Sequence, residues 1–147
     1  MEFTITNAVD LGLTLLAAIA LALPTAWHRE SSSRVMGLRT FPLVSLGACA
    51  YVVVGEAFIG PSDPNAMARI VQGLITGVGF IGGGAILKND DNVKGTATAA
   101  SIWITGALGA AVGLHLWLLA VLLSAFNFFI VLVFSMIKPK IPTQKDC

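Results

Sequence analysis

Residues 77–86 read GVGFIGGGAI. Gly77, Gly79 and Gly82 satisfy the G-x-G-x-x-G spacing that brings backbone amides up to a dinucleotide pyrophosphate. Between a strand and a helix, this stretch would make the chain an α/β nucleotide-binding protein. Inside an unbroken apolar helix, the same glycines mean close helix packing. The nucleotide fingerprint needs a preceding strand and an acidic residue about 20 positions on. The preceding ARIVQGLIT (68–76) instead continues the apolar run, and the next acids, Asp90 and Asp91, come too early in a polar loop. No Lys-Ser or Lys-Thr follows at the P-loop position. The surroundings decide against a nucleotide.

Those surroundings are membrane-like. The 147 residues are 56% hydrophobic and only 12% charged, with a mean hydropathy of +0.83; about a quarter of a soluble domain is charged. The charges also cluster, and none lies between Lys94 and Lys138. A bilayer core takes about 20 apolar residues per helix, so that gap holds two spans. The fold class is all-α and integral to the membrane, with the lipid bilayer as the chain's first partner.

Five transmembrane helices are predicted, over 8–27, 41–59, 64–87, 96–112 and 116–137. Pro24 should bend the last turn of the first, and Thr40 and Asp63 are the expected caps of the second and third. KNDDNVKG (88–95) is a polar loop of turn formers, and Gly113 to His115 mark a short reversal. Residues 1–138 form one five-helix domain and 139–147 a short tail. The first run carries Glu2 and Asp10 ahead of it and no basic residue, the reverse of a signal peptide, so it is expected to be retained. With the N-terminus outside and the C-terminus cytoplasmic, eight of the nine Lys and Arg residues fall on the inner side. Arg69 is the exception.

The net charge of +1 gives no footprint for nucleic acid, and the basic residues sit in loops beside spans. Cys49 reads as a packing residue and Cys147 as a tail thiol; neither has metal-ligand spacing. No Ser-His-Asp, HExxH or paired-carboxylate pattern is present, so no enzyme and no cofactor is expected, Mg²⁺ being the one ion to consider. Two readings of the glycines stay open. Gly73 and Gly77, Gly79 and Gly83, and Gly109 and Gly113 are each four apart, a spacing that lets helix backbones touch and makes the third and fourth helices central. The run Gly82, Gly83 and Gly84 is alternatively a break in the third helix that lines a site.

Glu56 is the one carboxylate well inside an apolar run and is a functional candidate, unless the outer interface wets it. With Asp10 and Asp63 it would form an oxygen-rich mouth for a hard cation such as Mg²⁺. On the inner side Arg29, Glu30, Arg34, Gly37, Arg39 and Thr40 form the most polar segment. Arg39, at a helix start, can fork onto a carboxylate, a lipid phosphate or backbone carbonyls. His28 and His115 read as interfacial, and Asn127 and Gln72 as interhelical hydrogen-bond partners.

Three blocks, GLRTFPLVSLGA (37–48), GVGFIGGGAIL (77–87) and KGTATAASIWITGALGAAVG (94–113), resemble the MgtC/SapB family of bacterial inner-membrane proteins. That family shows blocks like GLRTxxLV, GxGFLGAGxI and GLTTAAxxWxxAAIGxxxG in the same order. The resemblance spans about residues 10–135 and places Thr98 with Arg39 and Thr40 among the family's positions. Ala97 stands within the usual threonine pair, and His28 stands where an acid is usual. The family often adds a soluble C-terminal domain, for which this chain leaves no room. What the resemblance implies is a multi-pass inner-membrane protein tied to growth at low magnesium, to virulence and survival inside macrophages, and to restraint of the F-type ATP synthase. The expected function is therefore a non-enzymatic membrane regulator. It would work through the 34–40 and 88–98 segments, as a homo-oligomer or with a membrane partner such as ATP synthase. The alternatives are a small oligomeric ion transporter or channel, using Glu56 and the glycine run, and a structural assembly subunit.

Overall fold

The computed structural model of the chain describes residues 5–32, 36–59, 63–89 and 92–137. Five helices alternate in direction: α1 (Ile5–Ser32), α2 (Thr40–Ile59), α3 (Pro64–Gly84), α4 (Thr96–Gly113) and α5 (Trp117–Ile137). A two-stranded hairpin, β1 (Leu87–Asn89) and β2 (Asn92–Lys94), joins α3 to α4. By length and composition, α1 to α4 can each cross a membrane, and the equally apolar Trp117–Val133 of α5 forms a shorter stretch.

Local chemistry explains most of the ends. The Asp63 carboxylate accepts from the amides of Asn65 and Ala66 at 3.0 and 3.1 Å, and Pro64 follows as the first helical residue. At the other end of α3, Ala85 donates to the Gly82 carbonyl at 3.0 Å and Ile86 to that of Gly83 at 3.1 Å. These i→i+3 bonds tighten a final turn. Gly82, Gly83 and Gly84 therefore close the helix instead of breaking it. The reversal after α4 is a Schellman turn. His115 takes a φ of 56°, its amide reaches Val112 at 2.9 Å, and that of Leu116 reaches Ala111 at 2.8 Å.

Two elements differ from the sequence expectation. α1 runs on to Ser32 through Pro24; proline removes only one hydrogen bond, and neighbouring helices tolerate it. The polar loop is a hairpin, with Leu87 opposite Lys94 and Asn89 opposite Asn92.

Side-chain and backbone contacts set the register. Ser45 of α2 donates through Oγ to the Ala18 carbonyl of α1 at 2.7 Å, and Ser124 of α5 donates to the Leu21 carbonyl at 2.6 Å. A β-carbon on Gly109 of α4 would run into the Ser45 carbonyl, and one on Gly113 would come within 2.9 Å of the Cys49 carbonyl. Val78 of α3 fills the notch at Gly106, where an added β-carbon would lie 2.8 Å from Val78 Cγ2. α4 thus lies in the middle, against α1, α2, α3 and α5. Two buried clusters result, one around Phe41 and Ile102 and the other around Cys49, Leu108 and Val112.

The central place expected for α3 is not what the fold has. α3 lies chiefly against α2 and α4, and nothing stands within 4 Å of a β-carbon added at Gly73, Gly77, Gly79, Gly83 or Gly84. Close approach falls instead on Gly106, Gly109 and Gly113 of α4, and in α3 on Gly82, where an added β-carbon would lie 3.2 Å from the Ala99 carbonyl. Four-residue spacing aligns glycines on one helix face but does not say which face meets a neighbour.

Candidate functional site

The charged segments gather where α1 ends, α2 and α4 begin and α3 meets the hairpin. Glu30, near the end of α1, folds back over Gly37, and its Oε2 accepts from the Leu38 amide at 3.0 Å. A β-carbon on Gly37 would strike that carboxylate and would lie 2.9 Å from the Glu30 α-carbon. The GLRT block is therefore a fitted turn. Glycine lets the chain pass under Glu30, whose charge sits close to the positive N-terminal end of α2. Phe41 then donates to the Gly37 carbonyl at 3.2 Å, and Leu43 to that of Arg39 at 3.4 Å, which starts α2. Arg29 is half-buried, and Arg39 is exposed beside Thr40. Arg34 lies outside the described residues.

On the hairpin side, Gly95 precedes α4 with a φ of +89°, and a β-carbon there would collide with the Ala85 carbonyl. This glycine meets two demands at once: a left-handed backbone and contact with the last turn of α3. Thr98, expected on the exposed polar face, is instead 3% exposed. Thr98, Ser101 and Thr105 recur at helical spacing on one side of α4, so they share a buried polar stripe. Thr105 Oγ1 donates to the Ser101 carbonyl at 2.8 Å. Asn127 of α5 reaches the same carbonyl at 3.3 Å and Thr105 Oγ1 at 3.4 Å, both long, weak bonds. This stripe could be found in the sequence as Thr and Ser three and four positions apart inside an apolar helix. Gln72, expected to bond between helices, is exposed.

The three acids considered for a cation do not come together. Asp63 is turned onto its own helix cap, and Asp10 and Glu56 are exposed on α1 and α2. Among the described residues no group of three or more His, Cys, Asp or Glu forms a metal-binding arrangement. Asp63 has a local use for its carboxylate, and spacing along three separate helices carries no information about convergence.

A groove of about 720 Å³ runs between α2 and α3, with Arg39 and Thr40 at one end and Tyr51 and Arg69 at the other. Leu43, Gly47, Gly73 and Gly77 line its middle. Arg69, read from the sequence as the lone outer cation, thus shares one surface with Arg39.

The MgtC family model matches residues 15–139. The chain is 38% identical over 130 residues to Protein SrpB of Synechococcus elongatus, an alignment covering 81% of this chain and 71% of that protein. It is 38% identical over 87 residues to Protein MgtC of Brucella abortus, covering 59% of this chain and 35% of that protein. It is also 34% identical over 102 residues to Protein MgtC of Salmonella typhimurium, covering 69% of this chain and 42% of that protein. The chain thus spans about a third to two fifths of the length of these two MgtC proteins. No solved structure matches. With several helices apolar enough to cross a bilayer and a family match over most of its length, the chain is a multi-pass membrane protein that belongs to the MgtC family.

Proposed function

We propose that this protein is a non-enzymatic regulator in the bacterial inner membrane, acting in adaptation to low magnesium and on membrane energetics. All five helices span the bilayer, the N-terminus lies outside, and the end that carries Glu30, Arg39 and the hairpin faces the cytoplasm. The charge distribution supports this orientation, with eight of nine cations on that side. The working surface is that cytoplasmic end, and its target is a membrane complex such as the F-type ATP synthase. Virulence in a pathogenic host would follow from that control and not from a separate activity.

One observation carries the reading. Four buried polar side chains of the bundle, Ser45, Thr105, Ser124 and Asn127, donate to backbone carbonyls or to one another between or within helices. Such groups hold helices together. The charged groups lie at the end, held in place by the Glu30 turn and the Gly95 elbow.

The experiment has two arms. Purified protein in proteoliposomes is tested for flux of Mg²⁺, K⁺, Na⁺ and H⁺, and no flux is expected. Inverted vesicles containing ATP synthase are then tested for ATP-driven proton pumping, which should fall when the protein is present and recover with Arg39→Ala. Flux that disappears in Glu56→Ala would replace the regulator with a transporter. Unchanged pumping would remove ATP synthase as the target.

A further inference from the structure

We propose that the α2–α3 groove is a binding site for one anionic glycerophospholipid. Its phosphate would sit on Arg39 and Thr40, and an acyl chain would run down the groove past Gly47, Gly77 and Gly73. Dimensions, charge and shape point to the same occupant.

From Arg39 to Tyr51 the groove follows 12 residues of α2, about 18 Å at ~1.5 Å per residue. Half of a ~30 Å hydrocarbon core is roughly that length. The groove therefore matches one leaflet, with its cationic end at the headgroup level. The middle is apolar, and Gly73 and Gly77 leave open space where side chains would stand. That is room for a flexible chain.

Charge selects the headgroup and its end. Arg39 and Arg69 both line the groove; among the described residues no carboxylate lines it and neither guanidinium is held by an acid. A second copy docking the same face would set like charges against each other, whereas a phosphate neutralises one. Arg39 stands at the start of α2, where the positive end of the helix dipole adds to its attraction for an anion. Glu30 already occupies the Leu38 amide, which leaves Arg39 and the Thr40 hydroxyl for the phosphate. Arg69 lies inside α3, where the backbone amides bond within the helix, so that end offers only the side chain.

Native mass spectrometry of the full chain released from detergent tests the proposal. Phosphatidylglycerol and phosphatidylcholine with identical acyl chains are compared, with inorganic phosphate added alone in a third arm. The wild type should retain one phosphatidylglycerol in preference to phosphatidylcholine. Arg39→Gln should weaken that retention about tenfold or more, as expected for losing a charge-assisted hydrogen bond. Gly73→Leu and Gly77→Leu, which fill the groove where nothing stands within 4 Å, should abolish retention of both lipids while thermal unfolding stays at the wild-type value. Inorganic phosphate alone should neither bind nor displace lipid, since it lacks the chain. Equal retention of both lipids in wild type and Arg39→Gln would overturn the proposal. So would a dimer that the two leucine variants dissociate, which would make the occupant a second copy. Phosphate binding that survives the leucine variants would place the anion site outside the groove. None of these results depends on whether the protein regulates ATP synthase.

Discussion

The α-carbon of Gly109 faces the main-chain carbonyl of Ser45 so closely that a β-carbon on Gly109 would collide with it. Here α4 meets α2 backbone to backbone. Gly109→Ala should therefore destabilise the protein by about 1–3 kcal/mol, the usual range for overpacking, because the obstacle is main chain and cannot rotate away. Gly79→Ala is the counterpart: with open space at that position, it should be neutral or stabilising by about 1 kcal/mol through helix propensity. Unfolding in mixed micelles with increasing dodecyl sulfate measures both. Equal effects at the two positions would contradict the packing described.

Gly95→Ala meets a left-handed φ of +89° and the Ala85 carbonyl at once. The backbone conformation alone costs about 1–2 kcal/mol for a residue with a β-carbon. The expected result is faster proteolysis within the hairpin, followed by mass mapping of the cut sites, and a loss of stability greater than that term alone. Gly95→Asn should be milder than Gly95→Ala, since asparagine tolerates left-handed backbone, although the collision remains.

Asp63 separates a capping role from a metal role. Asp63→Ala should cost about 1 kcal/mol of stability, whereas Asp63→Asn, which keeps an acceptor for the Asn65 and Ala66 amides, should stay near wild type. Adding Mg²⁺ should not restore the alanine variant. Unfolding curves with and without Mg²⁺ give the answer; a magnesium-dependent rescue would show that the carboxylate binds the ion.

Ser45→Ala and Ser124→Ala each remove one hydroxyl bond to a carbonyl of α1. Interhelical bonds of this kind are worth about 0.6 kcal/mol on average in a membrane, with a maximum near 1.7 kcal/mol. Each variant should therefore remain folded with a modest drop in stability. The same micelle titration measures it, and a complete loss of folding would mean that the hydroxyls do more than join helices.

Much of this fold was legible in the residues. Asp63 before Pro64 and the reversal at Gly113 to His115 each carry a local chemical reason for an end, and the structure has both; Thr40, expected as the cap of α2, is instead its first helical residue. Pro24 was expected to bend the last turn of a helix ending near Trp27, yet α1 runs on to Ser32, because one missing amide does not end a helix that is packed on its neighbours. The glycines were harder. Gly73 and Gly77 have the same spacing as Gly109 and Gly113, yet only the second pair touches another backbone, since contact depends on the partner helix and not on the spacing. Thr98 was expected on the polar face, although its spacing from Ser101 and Thr105 inside an apolar helix was the mark of an inward-facing stripe. The end containing Glu30, Gly37 and Arg39 was recognisable as a polar segment. The fold of Glu30 over Gly37 was not, because it joins residues across a turn whose path no local pattern sets.

Ser45 joins three helices through one residue: its hydroxyl holds α1, its carbonyl bears on α4, and its own backbone belongs to α2. It acts as a rivet through three plates. Sliding of any of these helices past another must first part them at that level. In hydrogen-exchange terms, amides near Ser45, Ala18 and Gly109 should open only with global unfolding, while the outer face of α3 and the hairpin exchange through smaller local events. Motion in this protein is thereby confined to one flank, and the side of the bundle opposite α3 serves as its fixed frame.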